Sequence, residues 1–174
     1  LRTTGLFTKV YDLCELLTVA GKTYPAYYVG AGEYKDISGF DRNDGTGYFR
    51  LNGQTKINST DDKFQTTSCP TVFDVSIPLI LVCVVSKKRA ICDDEFAAQS
   101  IAEQISNALN GAGGALNVVT SSCTVNGYTT NGNEILKAEY KDPSINEFNP
   151  KFAYVSFDLT FDMTIDSTCI EPIC

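Results

Sequence analysis

Carboxylates are the side chains with the clearest catalytic potential in this sequence, and they recur along its last long alternating segment. Asp158, Asp162 and Asp166 lie on one side of the segment FAYVSFDLTFDMTID, residues Phe152 to Asp166. Two carboxylates form a glycosidase acid pair when they are about 5–10 Å apart. Four residues along a strand span about 13 Å, so a pair here requires a partner from a neighbouring strand. We therefore interpret these aspartates as the water-facing side of an amphipathic strand.

The residue types needed for several other chemistries are missing. The sequence has no histidine, which excludes Ser-His-Asp and Cys-His nucleophilic sites and zinc sites of the Cys/His kind. The segment DRNDGTG, from Asp41 to Gly47, resembles a calcium loop, but Gly45 occupies the position where that loop needs its third ligand. A tight turn is the preferred interpretation. No catalytic, cofactor-binding or metal-binding residue is predicted.

Seven cysteines are many for a chain of 174 residues, and their number is odd. They occur without any CxxC spacing at Cys14, Cys69, Cys83, Cys92, Cys123, Cys169 and Cys174. We favour reduced, structural thiols, because a chain of this length buries enough surface to be stable without disulfides. A disulfide between Cys169 and Cys174 remains an open alternative.

Length and charge limit the classes of protein further. The 174 residues fit one domain, and the net charge of −7 argues against a specific nucleic-acid partner. The longest apolar run, Ile77 to Val85, contains Pro78 and is shorter than the roughly 20 residues of a membrane helix. The chain begins at Leu1 rather than at a methionine, so a removed signal peptide remains an alternative.

Two long strands are predicted to organise the fold. Phe152 to Asp166 alternates apolar and polar side chains throughout, with the apolar set beginning at Ala153. Thr71 to Ser86 is the second, and the two are expected to pair. Its outer positions become apolar at Ile80, Val82 and Val84. That pattern indicates a central strand, or a face covered by another subunit.

Helical spacing appears twice. Thr4 to Val19 carries a stripe of apolar residues at Leu6, Val10, Leu13 and Leu17, with Gly21 as the stop. Asp93 to Leu109 combines an acidic start with an inward set that includes Phe96 and Ile101.

The remaining segments read as shorter strands and turns. Asn52-Gly53 predicts a type I′ hairpin that covers residues 48–57 and projects from the body. The other predicted strands are Thr23 to Val29, Ala115 to Val125 and Glu134 to Tyr140, with turns at Asn126-Gly127 and Asn131-Gly132. Pro25 indicates that the first of these strands lies near an edge of the sheet. The predicted fold is therefore one α+β domain over residues 1–174, a twisted and mostly antiparallel sheet with both helices packed on one face.

This order of elements resembles the tail terminator, tail-completion and neck-ring proteins of tailed bacteriophages. The resemblance rests on the N-terminal helix, the aromatic strand, the projecting hairpin, the long apolar strand, the AAQSIAEQISNAL helix and the closing FAYVSFDLTFDMTI strand. It implies a non-catalytic virion protein, assembled in the host cytoplasm as a hexameric or dodecameric ring beside other connector or tail-tube proteins. It also implies no membrane, and DNA only as passing cargo.

A ring assigns roles to particular residues. The hairpin, with Tyr48 and Arg50, is expected to reach a neighbouring subunit by strand addition and to cover that subunit's Ile80, Val82 and Val84. The acidic lumen is expected to include the two residues Asp158 and Asp162. The alternative function is a secreted or surface β-rich module that binds carbohydrate or mediates adhesion, with paired cysteines. A free-thiol count distinguishes the two.

Overall fold

The computed structural model describes residues 4–37, 45–59, 72–89, 96–110, 114–116, 119–140 and 150–166. Strands dominate these residues, and they run in the order β1 Lys9–Val19, β2 Lys22–Gly30, β3 Glu33–Asp36, β4 Gly45–Leu51, β5 Lys56–Ser59, β6 Val72–Ser86, β7 Gly114–Leu116, β8 Val119–Thr129 and β9 Phe152–Asp166. Between them lie a short 3-10 helix Lys87–Arg89 and two α-helices, α1 Ala97–Asn110 and α2 Gly132–Glu139.

All nine strands of the described residues belong to one sheet. Its order is β3-β2-β1-β4-β6-β9-β8-β7, and β5 lies beside β6 where β4 has ended. The strand pairs are antiparallel except β1 with β4, which run parallel. The α+β class and the mostly antiparallel sheet are therefore confirmed.

The centre of the sheet is the pairing of β6 with β9. Both strands have 15 residues, and they stay in register from Val72 opposite Asp166 to Ser86 opposite Phe152. The alternating sequences predict both strands, and the strands and their pairing are confirmed.

The two helices cover opposite faces of this central pair, so the prediction that both helices pack on one face is wrong. Ile101, Ile105 and Leu109 of α1 join a core with Leu81 and its same-face neighbours. The core beside α2 contains Val82, Val84, Phe152 and Tyr154, which alternate along the strands with the residues of the α1 core. Successive strand residues point to opposite faces, so a central strand that is apolar on both faces requires a cover on each.

The predicted N-terminal helix over Thr4 to Val19 is a strand for most of its length. β1 pairs with β2 through a two-residue turn in which Ala20 and Gly21 have φ angles of 51° and 79°. These positive angles are those of a type I′ turn, so Gly21 closes a hairpin rather than ending a helix. The spacing of Leu13 and Leu17 fits a helical stripe and one face of a strand equally well. Strand pairing decided between them.

The prediction of a projecting hairpin over residues 48–57 is also wrong. β4 and β5 do not pair with each other; both lie along the same edge of β6, with Leu51 opposite Leu79 and Lys56 opposite Ser76. The interruption between them lies beside Pro78, which has no N–H to donate to a neighbouring strand. The N–H of Asn52 donates to the Pro78 carbonyl at 2.9 Å, and a Cβ at Gly53 would lie 3.6 Å from Cγ of the proline ring.

Four predictions in the second half of the chain also change. Asn126-Gly127 is a bulge inside β8 rather than a turn, and Asn131 is the N-cap of α2. The predicted strand Glu134 to Tyr140 is this helix. Phe96, predicted to point inward from α1, is 60% exposed.

The N-terminal segment explains the glycines of the DRNDGTG sequence. Thr8 donates its N–H and its hydroxyl to the Gly45 carbonyl, at 2.9 and 2.8 Å. A Cβ at Gly45 would collide with the Leu6 carbonyl, so the close approach requires glycine. Strand β2, predicted near an edge, lies between β1 and β3. The predictions for residues 41–44, 60–71, 90–95, 111–113 and 141–149 lie outside the described residues.

Candidate functional site

A polar surface occupies the sheet face that α2 covers only in part. Four neighbouring strands build it, and paired residues point to the same side. Its described members are Lys56 and Asn58 of β5, Asp74 and Ser76 of β6, Ser122 and Thr124 of β8, and Asp158, Thr160, Asp162 and Thr164 of β9. We call this set the aspartate face. The aspartate face lies on the part of β6 and β9 that α2 does not cover.

A cleft of about 350 Å³ lies on the aspartate face, and it brings two carboxylates close together. Asp162 pairs with Ser76, and Asp74, two residues before Ser76, pairs with Thr164. A neighbouring strand therefore supplies the partner carboxylate that the sequence of β9 alone lacked. The Thr164 hydroxyl donates to Asp74 at 2.7 Å, which fixes that carboxylate by a charge-assisted hydrogen bond.

The other aspartates of β9 differ in their surroundings. Asp158 is exposed and accepts a hydrogen bond from Asn52 at 3.3 Å. Asp158 and Asp162 therefore share one face, as the alternation predicted, and Asp166 pairs with Val72 at the end of the strand. Within the described ranges, no group of three or more His, Cys, Asp or Glu side chains is arranged to hold a metal ion.

The predicted subunit-interface residues lie in the protein's own core. Tyr48, Val82 and Val84 are at most 2% exposed, and Ile80 is partly buried in the same cluster. The cover that was assigned to another subunit is supplied by α2, whose Ile135 and Leu136 pack on this cluster. The prediction of a neighbouring arm over Ile80, Val82 and Val84 is corrected accordingly.

Tyr48 and Arg50 meet a carboxylate that the sequence did not reveal. Glu139, the last residue of α2, is 2% exposed and forms an ion pair with Arg50 at 2.8 Å. The Arg50 Nε donates to the second oxygen at 3.2 Å, and the Tyr48 hydroxyl donates to the same oxygen at 3.0 Å. Helical spacing of Glu139 from Ile135 was the only sequence signal, since it places this carboxylate on the apolar side of α2.

The tyrosines and the cysteine near Glu139 are held in their neutral forms. Burial and the nearby Glu139 charge raise the pKa of Tyr48 well above its usual range, and they raise that of Tyr140 as well. Burial and the carboxylates of Asp12 and Glu139 raise the pKa of Cys14 to about 12. A thiol with so high a pKa is a poor nucleophile near neutral pH. The arrangement fixes α2 on the sheet and shows no activated group.

The described cysteines behave as small apolar side chains. Cys14 and Cys83 are buried free thiols, and Cys123 is a free thiol of intermediate exposure. Burial raises the pKa of both Cys83 and Cys123. Cys69, Cys92, Cys169 and Cys174 lie outside the described residues, so the predicted redox state of the whole set stays a prediction.

Comparison with known proteins gives no further assignment. No protein-family model matches the chain, and neither a curated protein nor a solved structure is significantly similar to it. Within the part of the chain that the structure describes, no helix has the length and apolar character that a membrane crossing requires.

Proposed function

We propose that this chain is a non-catalytic structural subunit of a tailed-bacteriophage particle, assembled in the host cytoplasm. Copies of it form a hexameric or dodecameric ring at the head–tail connector or at the end of the tail. Its neighbours are other connector or tail-tube proteins, and DNA passes through the ring without specific binding. Of the elements behind the resemblance, the structure contains the aromatic strand, the long apolar strand, helix α1 and the closing strand, but neither the N-terminal helix nor the hairpin. The retained elements motivate this proposal, and one observation on the sheet carries it.

That observation is the aspartate face. Asp74, Asp158 and Asp162 stand among neutral hydroxyl and amide groups, and Lys56 is the one basic residue of the set. When such a face lines a closed ring, the carboxylates of every copy add to one negative potential. Phosphate groups are repelled by that potential, so DNA moves past the surface without adhering to it.

The native mass of the purified chain tests the ring. Native mass spectrometry over a concentration series is expected to give a hexamer or a dodecamer, and negative-stain images are expected to show closed rings. A chain that remains monomeric up to millimolar concentration, with no closed particles in the images, contradicts the proposal.

Charge reversal tests the orientation of the aspartate face. The double variant Asp158→Lys with Asp162→Lys is expected to form rings that retain double-stranded DNA at low salt. The control is a single reversal on the other face, Glu103→Lys at an exposed position of α1. If the control retains as much DNA as the double variant, the aspartate face does not line the lumen.

A secreted or surface carbohydrate-binding module is the second candidate, favoured by the cleft between β5, β6, β9 and β8. Its lining of hydroxyl, amide and carboxylate groups offers many hydrogen-bond partners to a sugar. Titration of thiols under denaturing conditions distinguishes the two functions. Seven free thiols fit the cytoplasmic ring, whereas three fit the module, because Cys14, Cys83 and Cys123 are free and four cysteines remain to pair.

A further inference from the structure

Strand β3 forms one open edge of the sheet. It stands first in the sheet order, and its residues, Glu33 to Asp36, are all exposed. Within the described residues, β2 is the only strand that pairs with it. An edge strand presents a row of unpaired N–H and C=O groups, and these can pair with a strand of another chain.

The pairing with β2 shows which backbone groups of β3 point outward. Ile37, the next residue after β3, donates its N–H to the Pro25 carbonyl at 2.9 Å, so its backbone groups point towards β2. Successive residues of an antiparallel strand direct these groups to opposite edges. The N–H and C=O of Tyr34 and Asp36 therefore point away from β2, whereas those of Lys35 point towards it.

The side chains of β3 divide between the two faces of the sheet. Lys35 pairs with Tyr27, which packs on the cluster beside α2, so Lys35 and Glu33 project on the α2 side. Tyr34 and Asp36 project on the opposite side. There Tyr34 pairs with Tyr28, and the two rings meet edge to face with centroids 5.3 Å apart.

We propose that two copies of this chain associate by antiparallel pairing of their β3 strands around a two-fold axis at Tyr34. In this register the Tyr34 N–H of each copy donates to the Tyr34 carbonyl of the other, which uses the groups that point outward. The two tyrosine rings then lie directly opposite each other, and cross-strand aromatic pairs are stabilising. The two sheets become one continuous sheet.

Charge selects this register. With the axis at Tyr34, Glu33 of each copy lies opposite Lys35 of the other, so two opposite-charge pairs form on the α2 side. On the other side, Asp36 lies opposite the uncharged Gly32.

The other two-fold registers near this position are unfavourable. An axis at Lys35 places two lysines opposite each other, and an axis at Glu33 places two glutamates opposite each other; like charges directly opposite are destabilising. An axis between two residues is excluded, because it sets an outward backbone group against an inward one.

This self-complementarity is the reason to assign the edge to a second copy of the chain. A short edge strand with charged side chains resists pairing with unrelated strands. In β3 the charges that oppose other partners attract a second β3 in one register. Electrostatic complementarity of this kind fixes the register more than it adds affinity.

The inference goes beyond the proposed function, since it does not require a ring. Two strands of four residues make a small contact, so a single pair of copies is held weakly. Two hexameric rings joined in this way share six contacts, and contacts that act together bind far more tightly than one alone.

The test exchanges charges across the axis. Glu33→Lys and Lys35→Glu each replace two attractive pairs by two repulsive ones, so each is expected to lower the association constant about 10-fold or more. They do so although they change the net charge in opposite directions. The double variant Glu33→Lys with Lys35→Glu is expected to associate within about 3-fold of the wild type, because it restores both pairs. An equimolar mixture of the two single variants should also associate, since each carries the charges that the other lacks.

The controls make the same two charge changes away from β3. Glu103→Lys on α1 and Lys88→Glu on the 3-10 helix alter exposed residues and are expected to leave the association constant within about 3-fold of the wild type. Sedimentation equilibrium and native mass spectrometry follow assembly over a concentration series up to millimolar. Circular dichroism melts show that all variants fold.

Every outcome decides between the inference and the ring. A wild-type chain that stays monomeric up to millimolar concentration overturns both. An assembly that the two single variants leave unchanged, or that the double variant does not restore, overturns the pairing through β3 alone. A dodecamer that each single variant converts to hexamers supports both. A dimer that each single variant converts to monomers supports the pairing and overturns the ring.

Discussion

The two α-helices are attached to the same central strands by different physics. α1 has 14 residues, and its buried side chains are all apolar, so hydrocarbon packing holds it against Leu81, Phe157 and their neighbours. α2 has eight residues and buries two large apolar side chains, Ile135 and Leu136, beside the charged Glu139. A helix of eight residues has little stability of its own. The comparison teaches that the short helix needs a hydrogen-bonded ion pair to hold it on the sheet, whereas the longer helix needs only buried apolar area.

The largest expected effect comes from the α1 side. Phe157 is fully buried at the centre of that core, and Phe157→Ala is expected to lower the free energy of unfolding by about 3–5 kcal/mol. The loss combines the transfer of the ring with the cavity that remains, and it is measured by denaturant unfolding. The control Phe96→Ala removes an exposed ring and is expected to change stability by less than about 0.5 kcal/mol. Equal losses in the two variants would show that the α1 side does not hold the fold.

The second effect tests the anchor of α2. Glu139→Gln leaves Arg50 without its ionic partner and is expected to cost about 2–3 kcal/mol, because hydrogen bonds to buried charges are lost. The loss should be local, so hydrogen exchange is expected to speed up in α2 while α1 stays protected. Glu103→Gln, an exposed substitution on α1, is the control. Uniform acceleration throughout the protein would mean that α2 is not a separately held element.

A third effect depends on pH. The folded state holds the Tyr48 proton more tightly than the unfolded chain does, because the pKa of Tyr48 is raised on folding. The contribution of this group to the free energy of unfolding is therefore fully present below about pH 10 and is lost as the pH rises further. For Cys14, whose pKa rises from 9.0 to about 12, the corresponding loss of stability begins near pH 9.

Tyr48→Phe separates the two contributions of this hydroxyl. At neutral pH the variant is expected to lose about 1 kcal/mol with the hydrogen bond to Glu139. Above pH 10 its stability is expected to fall less steeply with pH than that of the wild type, as followed by urea unfolding at each pH. A variant with exposed Tyr128→Phe should keep the wild-type slope. Parallel slopes for all three proteins would contradict the assignment.

The smallest effect concerns the start of α2. The Asn131 side chain accepts a hydrogen bond from the Glu134 N–H at 3.4 Å, so Asn131→Ala is expected to cost about 1 kcal/mol. Asn131→Asp keeps an acceptor at the N-cap and should restore most of that loss. Hydrogen exchange in α2 is the measurement, and an unchanged rate in Asn131→Ala would show that the cap does not matter.

The sequence by itself determined the centre of the fold. β6 and β9 could be predicted because each alternates over 15 residues, and a one-residue shift would turn every apolar side chain to the wrong face. The same alternation placed Asp158 and Asp162 on one face. The buried face of α1, which carries Ile101 and Ile105, could also be predicted, because its apolar residues recur at helical spacing.

Only the tertiary structure decided the rest, because those choices depend on residues far apart in the chain. Leu13 and Leu17 fit a helix or a strand until β2 pairs with β1. The segment that ends at Glu139 becomes a helix whose carboxylate meets Arg50, 89 residues away. Asp74 joins Asp162 only because β6 and β9 pair. Local patterns reveal periodicity, whereas partners across the sheet are set by a pairing that no local pattern contains.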